Sequence, residues 1–453
     1  MLNFESEEPT MDIVVIGANH AGIAAINTIL QQYPQDKVHV FDQDDHISFL
    51  GCGMALWIGH QIDKPDNLFY SSAQQLQEKG ADVHVNTVVD RVDYQNKIVY
   101  ATTQQGESIA QKYDKLILAT GSQPICPALP GMDLENVQFV KQFQDAQAVV
   151  DKLADDSIRQ VTVVGAGYIG VELAEAFVRN GRKTRLVDCA PTCLASYYDP
   201  DFCQAMAEHM SQNGVEMCFG RKVEAIEGEH GKVTRIVTDN GTFDTDMVVF
   251  AIGFRPNTEL GKDHLELMRG AYLVDRCQRT SDPDVYAIGD CATVYNNALK
   301  KQDYIALATN AVRSGILAAH NACGTHMESP GVQGSNGISI WGLNLFSTGL
   351  TKTKAEQAGL DVLTTEFTDW QKAAFLEKGN TKTTLRIVYD KASRVILGAQ
   401  LMSDYDVSMG LHLFSLAIQQ GMTIDELKLL DLFFLPHFNQ PYNYITMAAL
   451  NAK

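Results

Sequence analysis

Nine cysteines are spread along the chain, at 52, 126, 189, 193, 203, 218, 277, 291 and 323, and one has a setting that the others lack. Cys52 lies in Ser48-Phe-Leu-Gly-Cys-Gly-Met-Ala-Leu-Trp57, between two glycines. Met54 to Ile58 is good helix-forming material, so the sulfur is expected at a helix start. A helix N-terminus lowers a thiol pKa, and the thiolate is both a nucleophile and the species that peroxide oxidises to sulfenic acid. The other eight cysteines read as small buried hydrophobes. Nine cysteines is an odd number and no CxxC occurs, so neither a disulfide framework nor a zinc site is expected, and no metal ligand is assigned. His20 is the second chemically apt residue. An imidazole exchanges protons near neutral pH.

Two segments that resemble each other must position these groups. Asp12-Ile-Val-Val-Ile-Gly-Ala-Asn-His-Ala-Gly22 and Gln160-Val-Thr-Val-Val-Gly-Ala-Gly-Tyr-Ile-Gly170 each run from a β-branched strand through a glycine turn into helix-like sequence. Each returns to a strand ending in an acid, Lys37-Val-His-Val-Phe-Asp42 and Lys183-Thr-Arg-Leu-Val-Asp188. Such a βαβ unit holds a dinucleotide: the turn admits the pyrophosphate, the helix end faces it, and the acid accepts from a ribose. Gly165, Gly167, Gly170 and Asp188 complete the second fingerprint, whereas Asn19 stands at the middle glycine of the first, beside Gly17, Gly22 and Asp42. Asn tolerates unusual backbone angles better than most residues. Two nucleotides in one chain imply electron transfer between a nicotinamide and a flavin. Asp188 suits a free 2′-hydroxyl and so NADH, while Arg182, Lys183 and Arg185 leave NADPH open.

Other segments fit this frame. Lys115-Leu-Ile-Leu-Ala-Thr-Gly121 and Asp246-Met-Val-Val-Phe-Ala-Ile-Gly253 read as buried strands closing in glycine turns. Thr280 to Asp290 ends a strand with an acid beside a glycine, placing Asp290 to bond a flavin's ribityl chain. From about residue 332 the texture changes. Thr384–Tyr389 and Arg394–Gln400 suggest an antiparallel hairpin, with helices near 406–420 and 423–431.

The net charge of −19 argues against a nucleic-acid surface, which needs clustered Lys and Arg. No apolar run reaches the ~18–20 residues of a membrane span. The start, MLNFESEEPT, is acidic and lacks a secretory pattern, so residues 1–10 are expected to be a disordered extension and the chain cytoplasmic.

Taken together, the motifs resemble the single-cysteine branch of the pyridine nucleotide–disulfide reductase superfamily. They are Ile47-Ser-Phe-Leu-Gly-Cys-Gly53, Gly165-Ala-Gly-Tyr-Ile-Gly-Val-Glu172, Gly253-Phe-Arg-Pro-Asn257, Ala306-Leu-Ala-Thr-Asn-Ala311 and Phe433-Phe-Leu-Pro-His-Phe-Asn-Gln-Pro-Tyr442. That branch contains water-forming NADH oxidases, NADH peroxidases and coenzyme A–disulfide reductases, and the resemblance is strongest to the oxidases of lactic acid bacteria. It implies an α/β fold with two Rossmann-like dinucleotide-binding domains and a C-terminal α+β dimerisation domain. The implied division is an FAD domain over 11–122 and 254–331, an NADH domain over 123–253, and a dimerisation domain over 332–453 of a homodimer. Pro436–Tyr442 would approach the partner's flavin.

The same resemblance makes Cys52 the redox thiol cycling through a sulfenate, His20 the active-site histidine with Arg313 nearby, and Tyr168 the cover over the flavin face, with Glu172 beside it. The implied cofactor contacts are Gly17, Asn19, His20, Ala21, Gly22, Asp42, Cys52, Ala119, Thr120, Gly121, Gly165, Gly167, Tyr168, Ile169, Gly170, Glu172, Asp188, Gly253, Asp290, Ala306, Leu307 and Ala308. Four-electron reduction of O2 to water by NADH is the implied reaction. NADH peroxidase uses the same residues. A coenzyme A–disulfide reductase needs basic residues on the first helix, and Ala21–Gln32 has none. A flavin redox sensor calls for a partner-binding module, and none is visible. Gly51 departs from the serine that many relatives carry there.

Overall fold

The computed structural model describes residues 10–453, so the extension expected over 1–10 lies, apart from Thr10, outside the described residues. In chain order the elements that build the site and its frame are β1 (Asp12–Ile16), α1 (His20–Gln32), β2 (Lys37–Phe41), α2 (Met54–Ile58), β3 (Asp82–His84), β4 (Lys115–Leu118), β5 (Val137–Phe139), β6 (Gln160–Val164), α3 (Tyr168–Arg179), β7 (Lys183–Asp188), β8 (Val215–Phe219), β9 (Met247–Phe250), β10 (Val285–Ala287), α4 (Ala308–Ala322), β11 (Asn336–Ile340), β12 (Leu343–Gly349), β13 (Val362–Trp370), β14 (Lys382–Asp390), β15 (Ile396–Ser403), α5 (Ser408–Gln420) and α6 (Tyr444–Leu450).

The two β-branched runs behave alike. Ile13, Val14 and Val15 are fully buried, as are Val161 and Val163, because a parallel strand is covered on both faces. The first sheet has the order β10-β4-β1-β2-β3 and the second β8-β7-β6-β9-β5, all parallel. In each, the strand that opens the motif sits between its return strand and a later strand, so the order reverses there. A crevice forms beyond the carboxyl ends of such a pair, and there the glycine turns lie.

The third sheet, β11-β12-β15-β14-β13, is antiparallel, with α5 and α6 packed against it. The expected hairpin is β14–β15. Asp390 folds its turn by accepting from the backbone of Ala392 and Ser393. The fold class read from the sequence therefore holds: two Rossmann-like units and a C-terminal α+β unit. The helix expected over 423–431 does not form. That stretch is a run of turns with i→i−3 bonds, started by Thr423 bonding Glu426, and it buries Ile424 and Leu427 without completing a helix. Among the described residues no helix is long and apolar enough to cross a membrane.

The segment carrying Cys52 is clamped between units. Met54, Ala55, Trp57 and Ile58 of α2 share a core with Val171, Ala174 and Ala176 of α3, and Trp57 stacks on Phe143 at 5.4 Å. The thiol is thus fixed relative to both units.

Candidate active site

The two glycine turns are geometric copies. Gly17 and Gly165 sit at φ +99° and +104°, where a side chain is strained, and an added Cβ would lie 2.3 Å from the Ala119 carbonyl oxygen or 2.4 Å from that of Ala251. Gly22 and Gly170 pack against the carbonyls of Gly17 and Gly165, where a Cβ would sit at 1.9 and 1.8 Å. Asp42 accepts from the Ala18 and Asp44 backbone N–H groups at 2.6 and 3.0 Å. Asp188 repeats this with Ala166 and Ala190 at 2.6 and 2.7 Å. Each carboxylate is thereby aimed at the crevice mouth. Burial, more than its backbone donors can offset, pushes the Asp42 carboxyl up to about 6. A cradle that a Cβ would fill, beside a fixed acid at a helix start, fits a dinucleotide in both places.

The middle position works differently from the sequence-based expectation. Asn19 takes φ −101°, ψ −158°, and Gly167 takes −76°, −169°; both are extended and open to any residue. Asn19 therefore substitutes for glycine without any unusual backbone angle, and what it adds is a side chain at the helix mouth.

Asp290 lies in a short turn after β10. Its Oδ2 accepts from Ser122 Oγ at 2.8 Å and pairs with Lys141 Nζ at 3.5 Å, while Tyr304 donates to its backbone carbonyl at 2.9 Å. Gly289 beside it abuts Ala21 and Ala311, joining the starts of α1 and α4. Thr120 Oγ1 donates to the Asn257 carbonyl at 2.6 Å and Asn257 N–H to Gly121, while the Gly253 carbonyl accepts from Ile125 N–H at 3.0 Å, so the two chain crossings between the first and second units run bonded side by side. Ala306 and Leu307 lead into α4, which opens at Ala308.

His20 is the first residue of α1. Its Nδ1 lies 3.0 Å from Tyr70 Oη and its ring stacks on Tyr70 at 5.7 Å. Burial lowers its pKa, Asp290 opposes this, and Lys141 adds to it. Tyr70, half-exposed and pushed up to about 12 by desolvation, stays protonated.

Cys52 sits in a 3-10 turn, Gly51–Gly53, just before α2. Its thiol opens to solvent, yet the surrounding protein desolvates it enough to push its pKa up; the Glu172 charge adds to this and Lys141 opposes it. This reverses the expected lowering by a helix N-terminus. The helix has only five residues, too few to build much of a dipole, and an acid faces the sulfur. Gly53 is packed, since a Cβ would strike Leu68 at 2.2 Å; at Gly51 the nearest atoms are 3.8 Å away, so a serine fits there. Glu172, on the next turn of α3 after Tyr168 and Ile169, has its carboxyl pushed up to about 7 by burial and then by Glu175.

Arg313 is not where the resemblance put it. Helix α4 meets α1 through Ala311 and Gly315, where a Cβ on Gly315 would touch Ala21 O at 2.3 Å. Arg313 lies two residues beyond Ala311, about 200° round the helix, on the far side. It bonds Asn310 and lines a separate cavity with Arg276 and Tyr295. The basic trio near Asp188 also faces away. Arg185 is buried against Glu216, Arg182 reaches the Leu153 carbonyl, and Lys183 opens β7, roughly 17 Å from Asp188 at the rise of a strand.

Three groups at the site carried no motif. Lys141 joins Asp290 and tunes both His20 and Cys52; Tyr70 stacks on His20; Asn336 of β11 accepts from Tyr168 Oη. Tyr168 also bonds Tyr198 Oη at 2.6 Å, and Tyr198 in turn donates to the Leu345 carbonyl at 3.0 Å, which ties the start of α3 to the third sheet. All three are joined to the site by long-range packing, which local spacing does not reveal.

Comparison with known proteins gives a concordant result. The model of the pyridine nucleotide-disulphide oxidoreductases matches residues 11–315, and that of their dimerisation domain matches 340–443. An NADH oxidase of Streptococcus pyogenes serotype M6 is 56% identical over 97% of this chain and 99% of its own. One from Lactococcus lactis subsp. cremoris is 52% identical over 98% and 100%. Among solved structures, a water-forming NADH oxidase from Lactobacillus brevis bound to NADH superposes with a TM-score of 0.94 at 37% identity, covering 97% of this chain and 98% of that one.

Proposed function

The chain belongs to the pyridine nucleotide-disulphide oxidoreductase family, and on that premise we propose that it is an FAD-dependent NADH oxidase that reduces O2 to water. The observation that carries this reading is the convergence of the first glycine turn, Asp290, Lys141, His20 and Cys52 on one opening, with Glu172 reaching it from the second unit. In this reading Gly17, Gly22, Asp42 and Asp290 hold FAD, while Gly165, Gly170 and Asp188 hold NADH. The division is an FAD domain over 11–122 and 254–331, an NADH domain over 123–253 and a dimerisation domain over 332–453.

Bound FAD supplies hydride acceptance from NADH and electron delivery to oxygen and to the oxidised sulfur. The chain's own groups do the rest. Lys141 favours the Cys52 thiolate against burial and Glu172. The thiolate attacks peroxide: an S–O bond forms, the O–O bond breaks, and hydroxide leaves as water once protonated. A second NADH reduces the resulting sulfenate, which releases the second water. Two protons enter for each oxygen consumed. Glu172, near neutrality, and His20 with its Tyr70 partner are the groups placed to hold them.

The active assembly is a homodimer in the cytoplasm. Phe433, Phe434, Leu435, Phe438 and Tyr442 form one apolar stretch, with Phe433 69% and Tyr442 76% exposed, which a second copy would cover. The test is stoichiometry. Two NADH consumed per O2, unchanged by catalase, is the expected result. Negligible oxygen uptake with rapid peroxide-dependent NADH loss would make the enzyme a peroxidase instead.

A further inference from the structure

Two loops on the far side of α4, away from the Cys52 opening, bring together a thiol, an imidazole and a carboxylate. Cys277 lies in the loop that leads into β10, and His326 and Glu328 follow α4. Cys277 Sγ lies 3.7 Å from His326 Nδ1, and His326 Nε2 lies 3.6 Å from Glu328 Oε1. One ligand atom from each of the three falls within 4.8 Å of the others. From this geometry we propose a binding site for a borderline-soft divalent cation of the zinc class, formed by Cys277, His326 and Glu328.

The sulfur–Nδ1 distance suits it, with Nδ1 as the ligand nitrogen and the Glu328 carboxylate brought to the same point by rotation of its side chain. Zinc–sulfur and zinc–nitrogen bonds of about 2.3 and 2.0–2.1 Å, held tetrahedrally, separate S and N by roughly 3.6 Å. The ligand set selects the metal, because thiolate with imidazole favours zinc over the hard cations that take oxygen alone. The backbone is already fixed. Asp275 Oδ1 accepts from the Cys277 and Arg279 N–H groups at 2.8 and 2.9 Å, the Asn321 side chain bonds both polar groups of the Met327 backbone, and Ser329 N–H donates to the Arg276 carbonyl at 2.8 Å. Only side-chain rotation separates the cluster from coordination. Cys277 is buried, whereas the His326 and Glu328 side chains are 71% and 56% exposed, so a cation enters from solvent and keeps a fourth position for water. Binding converts the thiol to a thiolate, forms the metal–sulfur bond and releases one proton to solvent. Asp275 adds negative charge beside the site and Arg279 opposes it. A spacing of 49 residues between cysteine and histidine hides the cluster from any motif.

The test uses the holoenzyme, stripped with a chelator and dialysed against buffered zinc at low-micromolar free concentration. Wild type should hold one zinc per chain more than His326→Ala or Cys277→Ser, with the dissociation constant weakened by roughly tenfold or more in either variant. His326 is exposed, so its variant keeps the test valid if Cys277→Ser misfolds. Cobalt should give tetrahedral bands in the red, beyond flavin absorption, and lose them with Cys277→Ser. Equal zinc in wild type and His326→Ala, or loss of the zinc in Cys52→Ser, overturns the proposal.

Discussion

At the scale of single residues, charge decides what the site can do. Burial and Glu172 oppose the Cys52 thiolate, and its own backbone N–H and then Lys141 favour it. Lys141→Met should raise the thiol pKa further. Peroxide reduction would then weaken at neutral pH and recover as pH rises, and a pH profile of single-turnover peroxide consumption checks this. Glu172 makes a second case. Its folded carboxyl sits at about 7 against an ordinary 4.5, so the folded state binds more protons between those values and loses stability as pH rises through them. Glu172→Gln should flatten that loss and leave the variant more stable than wild type above pH 7, by at most roughly 3 kcal/mol. Urea unfolding of both proteins at pH 5 and pH 8 measures it. Cys52 and His20 were legible in the sequence as candidates, because glycines and a turn announced them. The direction of the thiol's shift was not, since it comes first from burial in the folded protein and then from an acid on another unit.

At the scale of elements, the glycine turns carry the argument. Gly165→Ala places a methyl at φ +104° against the Ala251 carbonyl, which costs roughly 1–3 kcal/mol or forces the turn open. NADH affinity should fall while flavin content stays at wild-type level, and titration with NADH plus flavin absorbance separates the two. These βαβ units were legible because strand, turn, helix and return acid are contiguous in the chain. Arg313 was misplaced for the opposite reason. A residue's face on α4 depends on which side meets α1, and Ala311 and Gly315 settle that only in three dimensions. The stretch 423–431 carries helix-forming residues, but Thr423 and Glu426 close it into turns.

At the scale of the whole molecule, the second and third units are joined by a buried acid. Asp199, 1% exposed, accepts from the Thr353 N–H and hydroxyl, the Lys352 N–H and Gln400 Nε2, with Arg386 at 3.4 Å. Burial opposes its ionisation, but these donors win and hold the carboxyl below its ordinary value. Its contribution is therefore present above the ordinary carboxylate pKa and lost as pH falls below it. Asp199→Ala should cost roughly 3 kcal/mol, read as a lower midpoint in denaturant. The same joint ties Tyr168 to Asn336, so the start of α3 is built on the C-terminal unit as well. Exposed Phe433 and Phe438 extend this logic to a second copy: changing both to serine should shift the protein toward monomer in sedimentation velocity.

The central claim is that one sulfur takes the second oxygen atom, and peroxide yield from Cys52→Ser tests it most directly. With NADH and air, the variant should keep consuming oxygen and release about one hydrogen peroxide per NADH, where wild type releases none. If Cys52→Ser still makes water with no peroxide, the thiol is not the group that does this work.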